Sequence, residues 1–466
     1  MARSRFSKFQ SAGKKKNARK SVNSVSSGEL LCKIEGLSHE GRGVAKLNGK
    51  TQFVEGALPG ETVNATYIAK HAKFDELVLN NILDSSPDRV EAPCAHFGEC
   101  GGCSLQHMTP RAQLKHKESV LKEQLQHFGK LTPKRWFEAL ESSDRYYRSK
   151  ARLGVYYDKK SKKLSLGFRA KSSKNIVDIQ NCMVLDSRLS HYLGDLRSLV
   201  ALLSSPSSIS HIEAASGEDQ VALLFRHTQA LQDGDKALIR AFAEHAECDI
   251  YLQSGGIDTV LKFWPENSLP RLSYSLAMSS ADESGAIDLR FHPKDFTQVN
   301  RVMNQKLVAK AIESLDLNSM DRVLDLFCGL GNFTLPIAKL AGEVVGVEGS
   351  EEMVLRGREN AELNGIQNVS FHVANLQKEF SSQSWSKAKF SKVLIDPPRS
   401  GALDIVKYLS EQVFERIVYI SCNPATLARD AGVLVDKGYT LSQAGVIDMF
   451  PHTSHVESIV LFERTT

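Results

Sequence analysis

No apolar run in this 466-residue chain approaches the length needed to cross a membrane. The charged N-terminus has no apolar stretch behind it, so no signal peptide is expected and the expected location is cytoplasmic. In that compartment the 8 cysteines read as metal ligands, catalysts or packing residues rather than disulfide partners. Internal repeats are absent. Acids are missing from the first 20 residues, which hold eight Lys or Arg and leave the remainder at −3 of the net +5. Residues 1–21 also lack apolar periodicity and are expected to be a disordered basic tail. Two readings of it stand: a solubilising tail, or an arm drawn to nucleic-acid phosphate.

The length and the 42% apolar content predict two to four domains with a large core. Strand-like runs Leu30–Ile34, Thr51–Val54 and Val63–Ile68, separated by Gly-rich turns, predict a small β-barrel over 29–83. Thr109-Pro110 opens a helix as N-cap and first helical residue. Its apolar stripe is Leu114, Leu121, Leu125 and Phe128, with Gly129 to close it. Residues 145–290 alternate strand-like and helical runs, and from about 291 a regular βαβ pattern runs to the end. The expected fold class is α/β, with a barrel first, a central α+β region over 85–290 and a Rossmann-like domain over 291–466.

In that last region, Val323–Leu326 runs into the turn Phe327-Cys328-Gly329-Leu330-Gly331-Asn332. Some 20 residues on, a second strand ends at Glu348, placed for ribose hydroxyls. The full GxGxxG phosphate fingerprint is absent, since Thr334 stands where the third Gly belongs. That turns the reading from a pyrophosphate cofactor to S-adenosylmethionine. Further strands end at Asn375, at Asp396-Pro397-Pro398-Arg399 and at Ser421-Cys422-Asn423-Pro424. Polar groups at one strand end are ordinary turn residues; at five in order they predict a site. Cys422 faces a crevice there, and a helix after Pro424 is expected to favour its thiolate. Cys328, Cys32 and Cys248 read as packing residues.

Gln298-Val299-Asn300, the turn 325–333, Asp396–Arg399, Ser421–Pro424 and His455-Val456-Glu457 together resemble the RNA 5-methyluridine methyltransferases. Residues 22–84 resemble the TRAM RNA-binding barrel, and the barrel plus a cysteine cluster is similar to the bacterial ribosomal-RNA branch. The resemblance implies methyl-donor contacts at Gln298, Phe327, Asn332, Glu348, Asn375 and Asp396, a nucleophile at Cys422 and a base at Glu457. It implies 23S ribosomal RNA as partner, with uridine 1939 as the target, and no obligate protein partner.

The chemistry matches those residue types. A thiolate added at C6 makes C5 of uracil nucleophilic enough to attack a methyl sulfonium. A base must then remove the C5 proton, and the thiol and the base are expected on opposite sides of the ring. His452 and His455 read as RNA contacts or structural groups. Arg145, Arg148, Lys150, Arg152 and Arg169 are candidate RNA readers.

Cys94-x5-Cys100-x2-Cys103 with Cys182 has ligand types for either zinc or a [4Fe–4S] cluster, and spacing leaves both open. The resemblance implies [4Fe–4S] on Cys94, Cys100, Cys103 and Cys182, although Met183 stands where relatives often have Pro. A non-catalytic rRNA-binding assembly factor, or methylation at another rRNA site, is the alternative.

Overall fold

The computed structural model describes residues 29–278, 285–377 and 383–464. The basic tail expected over 1–21 lies outside them. Two compact units divide the chain, one running to Pro87 apart from His39–Gly41, and one made of His39–Gly41 and the chain from Asp88 on.

The first unit is a closed barrel. Leu30–Lys33 pairs with Thr62–Lys70, and the same stretch of chain continues as Gly36–Leu37 to pair with Gly43–Leu47. Between these edges run Phe74–Asp84 and Lys50–Glu55. Closure removes the free sheet edges that would otherwise invite pairing. Inward side chains alternate along the strands, as in Val63 and Ala65, which are fully buried with Val54 and Leu77.

Within the second unit, a seven-stranded sheet is antiparallel except where Val221–His227 meets Asp249–Gln253. The near-continuous apolar run Val221–Phe225 follows from burial on both faces. Leu223 and Phe225 pack toward the core that also holds Leu196 and Ile239 of the covering helices. Ala222 and Leu224 turn the other way, into a core shared with Leu307 and Val323.

The eight-stranded sheet runs in the order Val369–Val373, Glu343–Glu348, Arg322–Leu326, Lys392–Ile395, Arg416–Ser421, Glu457–Arg464, Tyr439–Ile447, Arg135–Trp136. Its first five strands are parallel. The regular βαβ reading fails at the end of the chain: Glu457–Arg464 inserts antiparallel between Arg416–Ser421 and Tyr439–Ile447. The last two strands form a hairpin, which needs no crossover helix.

The helix Pro110–Gln124 begins as expected, with Thr109 Oγ1 accepting from Ala112 N at 3.3 Å. Its end differs. Leu125–Gly129 widens into a π-turn, and Lys130, at φ +52°, supplies the left-handed residue instead of Gly129. The wider turn takes Phe128 off the apolar stripe, leaving it 67% exposed. Gly129 is needed for close approach: a Cβ there would lie 3.0 Å from the Ala428 carbonyl oxygen.

Candidate active site

The donor half of the site is built by one short stretch of chain. After Arg322–Leu326 the backbone turns left-handed at Phe327 (φ +64°), Gly329 (+55°) and Gly331 (+97°) before the helix Thr334–Ala338. Phe327 N and Cys328 N both donate to the Val347 carbonyl, at 2.9 and 3.2 Å, stitching the turn to the next strand. Glu348, at that strand's tip, accepts from Gly329 N at 3.2 Å and Ser350 N at 2.9 Å. Its carboxylate is therefore fixed beside the turn. Asn332 exchanges amide hydrogen bonds with Asn304 at 2.8 and 2.9 Å, and its oxygen also accepts from Tyr274 Oη at 2.8 Å. Gln298 lines a small cavity with Tyr274 and Asn304, which brings it to the same cluster. Asn375 is exposed beyond its strand, its oxygen accepting from Gln377 N at 3.0 Å.

The reading above missed Asp325. It is fully buried, accepts from Thr334 Oγ1 at 2.5 Å, and its other oxygen has no hydrogen-bond partner among the described residues. Burial, with the charges of Asp396 and Glu348 nearby, pushes its carboxyl up to about 7. Burial does the same to Asp396. An acid in the middle of the apolar strand Val323–Leu326 is the signal that could have found it. Three carboxyl groups, Asp325, Glu348 and Asp396, thus converge near the turn. The pocket suits a positively charged sulfonium and repels a pyrophosphate.

The acceptor half is assembled at long range. Arg416–Ser421 pairs with Glu457–Arg464 in a register that ends at Ser421 opposite Ser458. Cys422 follows in a bend just past the strand end, and Glu457, the first residue of the partner strand, lies close enough for its charge to act on the thiol. Cys422 is half-buried, and Glu457 is 5% exposed.

The ionisation of Cys422 also differs from expectation. The helix Pro424–Asp436 does start there, with Asn423 capping Ala425 N at 3.2 Å. Burial nonetheless pushes the thiol up to about 11, with Glu457 and Asp396 adding to the rise and Arg399 opposing it. Burial is the larger cause, and the two carboxyl groups act in the same direction. Burial, then Asp396, also holds Glu457 well above the usual carboxylate range, again against Arg399. Arg399 is the cation whose charge opposes the rise in both groups. Its guanidinium meets His455 Nδ1 at 2.7 Å, and its carbonyl accepts from Asn423 Nδ2 at 3.0 Å.

Cys328 is buried, and desolvation lifts its thiol well above the ordinary value, as a packing role requires. Cys32 and Cys248 are buried too. Lys150 is not free to read RNA. Its ammonium donates to the Asp295 carbonyl, and burial pulls it down to about 8. Arg152 pairs with Glu213 on the surface, while Arg145 and Arg169 remain exposed.

Cys94, Cys100, Cys103 and Cys182 line one cavity of about 30 Å³ together with Phe97, Phe168 and Ile179. All four are free thiols. Burial pushes Cys103 up to about 12 and also raises Cys100 and Cys182. Among the described residues no three His, Cys, Asp or Glu side chains converge as ligands of one metal ion. No helix among them is long and apolar enough to cross a membrane.

The sequence profile of the tRNA (uracil-5-)-methyltransferase family matches residues 109–465. The chain belongs to this family. A TRAM domain profile matches residues 29–66 of the barrel. Among relatives in the family, the 23S rRNA (uracil(1939)-C(5))-methyltransferase RlmD of Hahella chejuensis is 48% identical over 440 residues, 93% of this chain and 97% of that protein. The protein of that name from Alcanivorax borkumensis is 48% identical over 431 residues, 92% of this chain and 96% of its own. The solved structure of Pyrococcus abyssi tRNA (uracil-54, C5)-methyltransferase with S-adenosyl-L-homocysteine superposes with a TM-score of 0.71. It covers 93% of this chain and 100% of that one at 24% identity, a likeness of fold.

Proposed function

We propose that the protein transfers the methyl group of S-adenosylmethionine to C5 of a uridine in 23S ribosomal RNA, at position 1939, in the cytoplasm. The observation that carries this reading is that adjacent strands end at Cys422 and Glu457, with Glu457 and Asp396 of the donor side both close enough to act on the thiol. Gln298, Phe327, Asn332, Glu348, Asn375 and Asp396 hold the donor in this account. Bound there, S-adenosylmethionine supplies an electrophilic methyl group on a positively charged sulfur.

Cys422 acts first. Its thiolate adds to C6 of the uracil, and the C5=C6 electron pair moves to C5 and the C4 carbonyl. C5 takes the methyl, and the electron pair of the broken bond stays on the donor's sulfur. Glu457 then removes the C5 proton, and the C5–H electrons rebuild C5=C6 as Cys422 leaves. A neutral thiol in the resting protein is consistent with activation only once a cation occupies the donor pocket. The target base must leave its stack to reach the strand ends.

The four thiols at 94–182 suit a [4Fe–4S] cluster by chemistry: soft ligands in an apolar cavity without another cation to balance them. Methyl transfer needs no electron, so its role is structural. Domain limits of 22–84 for the TRAM barrel, 85–290 for the central region and 291–466 for the methyltransferase region complete the reading. The stretch 110–136 supplies side chains and an edge strand to the C-terminal sheet.

Mass-spectrometric mapping of 5-methyluridine in 23S rRNA from a deletion strain tests the assignment. Loss at position 1939 alone is expected. Loss at a different uridine would redirect it, and no loss together with donor binding would indicate a non-catalytic assembly factor.

A further inference from the structure

The loop that delivers Glu457 is over-determined, clamped by the cysteine-bearing loop, by the helix that follows it and by residues 144–147. Ser104 N and Leu105 N both donate to the His452 carbonyl at 2.9 Å, and Ser454 N donates to Ser104 Oγ at 3.0 Å. Ser104 is the residue after Cys103. From the helix Pro110–Gln124, Gln113 Oε1 accepts from His452 N at 2.8 Å, and its amide nitrogen lies 3.3 Å from His452 Nδ1. Lys117, with no exposed surface, donates to Asp448 at 2.6 Å and to the Phe450 carbonyl at 2.9 Å. Tyr147 Oη donates to the Pro451 carbonyl at 2.9 Å, and Asp144 lies 3.3 Å from His452 Nε2.

His452 itself sits at φ +66°, a conformation that costs a non-glycine residue free energy and persists only where its surroundings impose it. Burying Lys117, Gln113 and His452 also costs free energy, recovered only because their partners are in place. Five residues beyond His452 the chain enters its strand at Glu457. Cys422 reaches the site on a different element, although Arg399 links His455 of this loop to Asn423 beside the thiol. It is delivered by the parallel strand Arg416–Ser421 and the helix cap that follows.

We infer that Ser104, Gln113 and Lys117 brace the 448–456 loop as positioning residues for Glu457, so that the four-cysteine loop governs proton removal from C5 and not thiol attack. This rests on the roles proposed above for Cys422 and Glu457. It also gives the cysteine cavity a consequence at the site. A change at Cys103 reaches the base through one residue and two backbone hydrogen bonds.

The test separates the two halves of the reaction. Ser104→Ala removes one clamp and leaves the backbone pair; Gln113→Ala removes another; Ser104→Thr keeps the hydroxyl. Each full-length protein is given a 23S rRNA fragment and methyl-labelled S-adenosylmethionine in a single turnover. Formation and decay of the labelled covalent RNA adduct are followed on denaturing gels. With Ser104→Ala and Gln113→Ala, formation should stay within about twofold while decay slows on the order of fivefold or more, the worth of one hydrogen bond. Adduct then accumulates, and Ser104→Thr restores the native partition. Equal slowing of both steps, or no change in either, overturns the brace. Glu457→Gln run alongside keeps the two readings apart. If it fails to trap adduct, the base assignment falls; if it traps adduct while Ser104→Ala decays normally, only the brace falls.

Discussion

The donor and acceptor halves of this site are made in different ways. Residues 322–348 build the donor turn from one strand, two left-handed glycines and the tip of the adjacent strand. The acceptor half joins Cys422 to Glu457, 35 positions apart, through an antiparallel register and a loop held by residues more than 300 positions upstream. A local device is set by sequence within a few turns of chain. A long-range device is set only when the whole unit has packed, so it can be loosened from far away without touching the donor.

The largest expected effect lies in the acceptor half. Cys422→Ala should abolish turnover and the covalent RNA adduct, while S-adenosylmethionine binding, measured by calorimetry, stays within about twofold. Loss of donor binding as well would break the separation of the halves. Next is the brace. Lys117→Ala leaves the Asp448 carboxylate without its buried cation and should destabilise the second unit by about 3–5 kcal/mol in urea unfolding. Adding Asp448→Leu to Lys117→Met should recover much of it. A smaller effect is expected from Gly331→Ala in the donor turn. At φ +97°, with a Cβ 3.1 Å from Leu335 Cγ, it should cost about 1–3 kcal/mol and weaken donor binding. Cys422 should then alkylate at the native rate.

The smallest effect is also the most specific. Only thiolate reacts with iodoacetamide, and Cys422 is raised to about 11. In the free protein its alkylation, read from the Cys422 peptide by mass spectrometry, should climb about tenfold per pH unit from neutrality without levelling below about pH 10. Glu457→Gln removes a carboxylate that raises the thiol, so the curve should move to lower pH. A plateau near neutrality would mean that the helix terminus wins after all.

The local half was legible before the structure. The apolar run into a Gly-rich turn, the acid at Glu348 and the Asp396-Pro397-Pro398 tip all announce strand ends, and Thr109-Pro110 announces a helix start. Glu457 was reached through resemblance, because nothing in His455-Val456-Glu457 tells which strand it will lie against. The insertion of Glu457–Arg464 between two earlier strands decides that. The state of Cys422 was misread for a related reason. A helix N-terminus is visible in sequence, but burial and two carboxylates converging from other strands are not. Lys150 looked like an RNA reader because its partner is a backbone carbonyl almost 150 residues away. The Lys117–Asp448 pair is equally silent at the level of sequence.

The central claim is that Cys422 and Glu457 share one uracil as nucleophile and base. Denaturing electrophoresis of Glu457→Gln after incubation with methyl-labelled S-adenosylmethionine and a 23S rRNA fragment tests it most directly. The account predicts a labelled protein–RNA band, stable to denaturant and absent in the Cys422→Ala, Glu457→Gln double variant. Normal release of 5-methyluridine by Glu457→Gln, with no accumulated band, would contradict it.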